Sequence, residues 1–294
     1  MLLSIIVTLY NRKDIVVRAI ESVTEISKYH DVEVIVIDDG SKDQPLDLLS
    51  KYIDDTNVLY FYKENGGAAD AKNYGANVAK GNFIVFLDSD DYLVNTEKLV
   101  EFIRSEKNKN YDFFYSKSVL IKNGDSLRED VCIASSRLNK NIYDYILEFP
   151  LNYPGKPTYV FKREVFIRAK GFTKDFKWGD AMLFWRIFLK DIDCREIDFP
   201  TYVYDQSDSD SISRNRNEKY FNNVSNTLVT TYSKIERELD VRKYKMNWVL
   251  ILWLISLRRF DFKNSIYYFL YLAKSPINAV RSAVFVLNKR KIRK

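Results

Sequence analysis

The chain opens on an apolar run, LSIIVTLY at 3–10, rich in β-branched residues. A short run of this kind, closed by polar residues, predicts a strand buried on both faces. Similar runs recur at 33–37 (EVIVI), 57–64 (NVLYFYKE) and 82–88 (NFIVFLD). Between them the period changes. Ile15, Ala19, Ile20 and Val23 recur at helical spacing with Asp14 in the first turn, which predicts a helix over 11–27. Residues 46–53 and 68–79 also read as helices, the second with Gly81 as its C-terminal stop. The order βαβαβαβ predicts an α/β fold, a Rossmann-like, mostly parallel sheet flanked by helices.

Beyond residue 91 the pattern loosens. Residues 96–106 read as a helix, 111–122 as a strand, 123–141 as a polar stretch and 142–149 as a helix. Pro150, Pro154 and Pro157 then mark a loop, and 158–172 reads as a strand passing into a helix. The segment GDAMLFWRIFLKD at 179–191 is an apolar helix with Asp180 in its first turn. The run WVLILWLISL at 248–257 spans ten residues, short of the roughly 18–20 that cross a bilayer, so a buried or interfacial helix is expected. The opening MLLSIIVTLYN lacks a basic leading region and is expected to be a strand, not a secretory leader.

Charge divides the chain. Residues 242–294 hold 13 Lys/Arg against one acid, Asp261, a net +12 within a total of +6, so residues 1–241 carry −6. We place a boundary there: an α/β domain over 1–241, with a nucleotide-binding half at 1–92 and an acceptor half at 93–241, and a helical, basic C-terminal extension at 242–294. With 46% hydrophobic residues the chain can build a large core. The cysteines, Cys132 and Cys194, lie too far apart in sequence to suggest a disulfide scaffold or zinc site and read as reduced cytosolic thiols. The single histidine, His30, excludes a histidine-rich metal site and leaves a Ser-His-Asp triad only one candidate.

In open α/β sheets, ligands bind beyond the carboxyl ends of the strands. Those positions here are Tyr10-Asn11, Asp38-Asp39, 64–67 and FLDSDD at 86–91. Neither a G-x-G-x-x-G after the first strand nor a Walker-type phosphate loop is present, which argues against a dinucleotide site and a P-loop ATPase. Crowded carboxylates repel one another. Asp88, Asp90 and Asp91 therefore suggest either an acidic turn in water or a site for a divalent cation that could carry a nucleotide's phosphates.

SIIVTLYN, VIDDGS, NGGAADAKNYGA (65–76) and FLDSDD, in this order and each at a strand end, resemble the motifs of family 2 glycosyltransferases with the GT-A fold. KWGDAMLFWR (177–186) resembles the family's later acidic motif. The resemblance implies an inverting enzyme that moves a sugar from a nucleotide-sugar, here a UDP-sugar, to a saccharide or polyprenyl-linked acceptor in surface polysaccharide synthesis. It implies that Thr8 and Asp39 contact the base and ribose, with Asp39 accepting from uracil N3–H. Tyr10, Asn11 and Ser89 would complete the donor site. Lys72 stands where the family usually has Arg, keeping the charge but losing the planar fork. Asp90 would hold Mn²⁺ or Mg²⁺, with Asp88 supporting it near the ribose, and Asp180 would be the catalytic base. Relatives often carry a His before the S-x-S element; here Ser207 or Asp208 stands near that position, and Asp208 is the candidate third ligand.

Plainer roles exist for several of these residues. Asp38 and Asp39 suit a turn, and Asp91 is expected to cap the element that follows. Other classes are a catalytically inactive carbohydrate- or membrane-binding module and a nucleotidyltransferase. The second would release pyrophosphate and usually carries a glycine-rich signature, which is missing after the first strand. In the basic extension, Ile277, Val280, Val284 and Leu287 recur at helical spacing before a polybasic end. That pattern suits adsorption to an anionic membrane, with the protein cytoplasmic and peripheral on the inner face of the cell membrane; the alternative is a helical extension packed on the α/β domain with a solvated basic end. No nucleic-acid motif accompanies the charge.

Overall fold

The computed structural model describes residues 1–53, 57–122, 125–130, 159–172, 193–205, 245–258 and 262–292. The first ninety residues alternate strand and helix: β1 (Leu3–Leu9), α1 (Lys13–Ser27), β2 (Val32–Asp38), α2 (Pro45–Ile53), β3 (Val58–Tyr62), α3 (Ala68–Val78) and β4 (Phe83–Asp88). There follow β5 (Tyr92–Leu93), α4 (Thr96–Glu106), β6 (Phe113–Lys122), β7 (Asp125–Asp130), β8 (Tyr159–Lys162), α5 (Arg163–Arg168) and β9 (Cys194–Asp205).

The strands form one sheet in the order β3-β2-β1-β4-β8-β6-β9-β5, with β7 paired to β6. The four strands β3-β2-β1-β4 are parallel. β8 is antiparallel to both β4 and β6, while β9 runs parallel to β6. β1 and β2 are buried along their whole length because helices cover both faces. Ile5, Val7 and Leu9 join a core with Val16, Ile20 and Val23 of α1. From the opposite face Ile6 meets α3, where Gly75 brings the helix so close that a Cβ would lie 2.4 Å from the Ile6 Cγ2.

Three expectations change. The polar stretch after residue 122 contains β7, held by its ladder with β6. Gly81 is not the left-handed stop of α3, since α3 ends at Val78 with Ala79 extended and Gly81 has no positive φ. It is required by close approach, because a Cβ there would sit 2.5 Å from the Ser4 amide nitrogen. Asp91 caps no helix: α4 starts after Asn95, and Asp91 is fully buried.

The chain divides into two compact units. The sheet and its helices belong to the first. The second holds α6 (Lys245–Arg258), α7 (Phe262–Ala273) and α8 (Pro276–Ile292), which pack on one another around Val249, Leu250, Ile251 and Leu272. The apolar run at 248–257 thus lies on α6, with Trp248 to Leu252 buried. No helix among the described residues is long and apolar enough to cross a membrane.

Candidate active site

Strand order reverses between β1 and β4, and such a switch point opens a crevice at the carboxyl ends of the strands. Thr8 on β1 pairs in register with Asp88 on β4. The sheet therefore sets FLDSDD directly beside Tyr10 and Asn11. Asp88, Asp90 and Asp91 each offer a carboxylate oxygen within 4.8 Å of the others, the one group of three metal-capable side chains among the described residues.

The three acids differ in their partners. Asp88 pairs with the Lys72 ammonium at 2.5 Å, and Asp90 with the Arg12 guanidinium at 2.8 Å. Two cations of the chain thus offset the repulsion between these carboxylates. Asp91 accepts from the Tyr202 hydroxyl through one oxygen and from the Asp205 amide at 3.1 Å through the other. Burial first, then the Asp91 charge, pushes the Tyr202 hydroxyl well above its usual pKa, so it stays a donor. Arg18 closes the arrangement, bonding Asp205 at 2.6 Å and the Asp90 carbonyl at 2.9 Å. Asp91 ties the acidic loop to β9, while Asp88 and Asp90 turn to cations. Carboxylate oxygens with no His or Cys among them fit a hard divalent ion such as Mg²⁺ or Mn²⁺.

The second strand end is built around Asp39, which is 3% exposed. Its carboxylate accepts from the Gly66 and Gly67 amides at 2.9 and 2.7 Å and from Lys63 at 2.5 Å. Lys63 also pairs with Asp70 at 2.7 Å. Burial opposes the Lys63 charge, but bonds to Asp39 and then Asp70 outweigh it and hold the pKa above normal. Asp39 therefore shapes the Gly66-Gly67 loop that leads into α3. Asp38 accepts from Tyr60 and from the Ser41 amide at 2.8 Å, and Gly40 follows with a φ of +82 that disfavours other residues. Asn11 is left-handed at φ 50, a region Asn tolerates better than most residues. It joins the two loops: its side chain accepts from the Lys42 amide at 2.8 Å, and its own amide donates to Ser41 at 2.9 Å.

Of the expected site residues, Thr8, Tyr10, Asn11, Lys72, Asp88, Ser89 and Asp90 fall together at the β1/β4 crevice. Thr8 and Ser89 are nearly buried and Tyr10 is exposed. Asp39 lies one strand over, at the end of β2. Asp180 and Asp208 lie outside the described residues, as do Trp178 and Trp185. Sequence reasoning passed over Arg12, Lys63 and Tyr202. Arg12 and Lys63 carried a usable signal, since each is a cation at a strand end among acids. Asn73, in the A-K-N-x-G element, clamps the turn after α5, bonding the Phe172 carbonyl and amide at 2.8 Å each. Phe172 packs edge-on against Phe86 at 5.0 Å and so fixes α3, with its Lys72, over the end of β4.

A parallel 3-2-1-4 half-sheet with an acidic loop at its switch point defines a GT-A type α/β fold. The solved structure of Staphylococcus aureus TarS residues 1–349, in complex with UDP-GlcNAc, has this fold; it is 20% identical, with a TM-score of 0.62 over 89% of this chain and 73% of that one. A mannosyltransferase from Pyrobaculum calidifontis, in complex with GDP-Man and Mn²⁺, aligns with a TM-score of 0.58 at 16% identity over 97% and 79% of the two chains. Residues 4–189 match glycosyl transferase family 2, and the chain belongs to that family. A relative in Escherichia coli, the UDP-Glc:alpha-D-GlcNAc-diphosphoundecaprenol beta-1,3-glucosyltransferase WfaP, is 38% identical over 108 residues, 36% of this chain and 43% of that protein. A poly(ribitol-phosphate) beta-glucosyltransferase of Bacillus spizizenii is 31% identical over 121 residues, 40% of this chain and 19% of that protein. The matches thus span less than half the length of these relatives.

Proposed function

We propose that the chain is an inverting glycosyltransferase that moves a sugar from a UDP-sugar to a hydroxyl of a saccharide or polyprenyl-linked acceptor in surface polysaccharide synthesis. The observation that carries this reading is the pair Asp88 and Asp90 at the β1/β4 switch point, each facing a cation of the chain. The names of the family relatives support it, since both act in the glucosyl transfer that their names describe.

In this reading Thr8, Tyr10, Asn11, Asp39, Lys72, Asp88 and Ser89 bind the donor. Asp39 already accepts three hydrogen bonds, so about one lone-pair direction of its four is open to uracil N3–H. Asp90, supported by Asp88 and with Asp208 as a candidate third ligand, would hold Mg²⁺ or Mn²⁺, which when bound would neutralise the charge that grows on the departing diphosphate. Lys72 and Arg12 place their own positive charge beside the same phosphates. Asp180 takes the proton of the acceptor hydroxyl, whose oxygen bonds the anomeric carbon as the bond to phosphate breaks and its electron pair leaves with UDP. Attack from the opposite face inverts the centre, and positioned proton transfer contributes about 10²–10⁴ in rate. We assign donor binding to residues 1–92, acceptor binding to 93–241, and contact with the inner face of an anionic membrane to 242–294.

A thermal-shift panel of nucleotide sugars with Mn²⁺ tests the donor. UDP-sugars at about 100 Kd should stabilise the chain by about 2.7 kcal/mol, and Asp90→Ala should lose the shift. Stabilisation by GDP- or CMP-sugars with none by UDP-sugars would overturn the uridine assignment.

A further inference from the structure

Ten of the 17 exposed large apolar side chains among the described residues fall on α6, α7 and α8. On α7 they are ordered. Phe262, Ile266, Phe269 and Leu270 follow the spacing i, i+4, i+7, i+8 and form a stripe along one side, with Phe262 71% exposed. Ser265 and Leu272, the buried positions of the same helix, lie on a different side. On α8, Ile277, Val280 and Val284 repeat the pattern at i, i+3, i+7 and are all exposed. A water-facing helix ordinarily shows the reverse, apolar inward and polar outward. Contiguous exposed apolar surface of this kind marks a contact site.

Charge identifies the occupant. Lys263 on α7, Lys274 in the turn after it and Arg281 on α8 are exposed cations, and α8 continues through Lys289, Arg290 and Lys291. No acid occurs anywhere on α7 or α8. The same face of a second copy would bring cations against cations. A bilayer with anionic headgroups answers both features at once: cations meet the headgroups, while Phe and Ile side chains enter the acyl boundary.

We propose that the exposed apolar sides of α7 and α8, with their flanking cations, form the surface by which the chain adsorbs to an anionic lipid bilayer. This deepens the membrane placement given under the proposed function and rests on it, but not on catalysis. Adsorption uses two independent contributions. Each cation near the surface changes partitioning by about fivefold, and each large side chain that enters the interface by about tenfold or more. At such a face the helices lie in the interface plane and do not cross it.

Sedimentation of the full chain with vesicles tests this. It should pellet with phosphatidylcholine vesicles containing phosphatidylglycerol, and little with phosphatidylcholine alone. Binding should weaken as salt rises. Phe262→Ser with Phe269→Ser should cut partitioning by at least about a hundredfold, and Lys263→Gln with Lys274→Gln by about twenty-fivefold. Circular dichroism should show both variants folded, as expected for exposed positions. Three results would each overturn the inference: no binding to anionic vesicles, binding that the Phe pair leaves unchanged, or a dimer in solution that the Phe pair abolishes without any vesicle binding. Release of UDP from a donor, measured without vesicles, keeps the two readings apart. A chain that binds vesicles but releases no UDP fails as a transferase and not as a membrane binder.

Discussion

Replacing Tyr202 with Phe removes one oxygen from a fully packed place and tests how the acidic loop is held. Asp91 is 0% exposed and Tyr202 4%, and the phenol donates to the carboxylate while the Asp205 amide bonds its other oxygen. The substitution leaves the ring and its volume, so no cavity forms. What is lost is a hydrogen bond to a charged acceptor out of water, about 1.5–3 kcal/mol. For a unit of this size that corresponds to a drop of about 3–12 °C in Tm. Thermal and urea unfolding followed by circular dichroism provide the assay, with Tyr62→Phe, at an exposed tyrosine, as a control that should stay within about 0.5 kcal/mol. A double-mutant cycle with Asp91→Asn should return a coupling of at least about 1 kcal/mol. Because the folded-state pKa of Tyr202 is raised above the ordinary 10.0, its contribution is whole below pH 10 and declines above it. A Tyr202→Phe variant as stable as wild type, or a coupling near zero, would refute the view that this pair anchors the loop to β9.

Gly75→Val should destabilise by about 1–3 kcal/mol in urea unfolding, because even a Cβ at this position would lie 2.4 Å from Ile6 in the core. Cys194 is pushed up to about 11, by burial first and then by Asp193 and Asp112, so at pH 8 iodoacetamide should modify it about a hundredfold more slowly in the native chain than in denaturant, as read by peptide mapping. The Arg104 hydrogen bond, with its charge, holds Asp31 below its ordinary 3.8 against the opposing effect of burial. The stabilisation from that pair is present above pH 3.8 and lost as pH falls through the lower folded value. Arg104→Gln should therefore narrow the stability difference between pH 5 and pH 3 in urea titrations.

β1, β2 and β4 were legible because parallel strands buried inside the sheet show unbroken apolar runs, β3 because, though an edge strand, it is still an apolar run, and the helices between them because they show a different period. α4 was legible by the same spacing. In the far half of the sheet β6, and β8 passing into α5, were legible as apolar runs, but β5, β7 and β9 were not. β9 mixes Arg195, Glu196 and Asp198 with apolar residues and contains Pro200, and β5 has two residues, too few for any period. β7 is polar apart from Leu127 and exists through its pairing with β6, which no apolar run marks. The same limit applied at the site. The grouping of acids at strand ends was readable, and so was the nearness of Asp88 to Thr8 once β1 and β4 were neighbours. That Asp91 is buried and serves β9 was not readable, since its partner Tyr202 lies 111 positions away and nothing near Asp91 marks the burial. Asp39 was read as a ligand contact from the family resemblance. Its bonds to Gly66 and Gly67 show that it also builds the loop before α3.

The most direct test of the account is release of UDP from a UDP-sugar, measured with Mn²⁺, with excess EDTA, and in Asp90→Ala. The account predicts turnover with Mn²⁺ and loss of at least about 100-fold in both other cases, consistent with removal of the charge that stabilises the leaving group. UDP release undiminished by EDTA, or fully retained in Asp90→Ala, would contradict it.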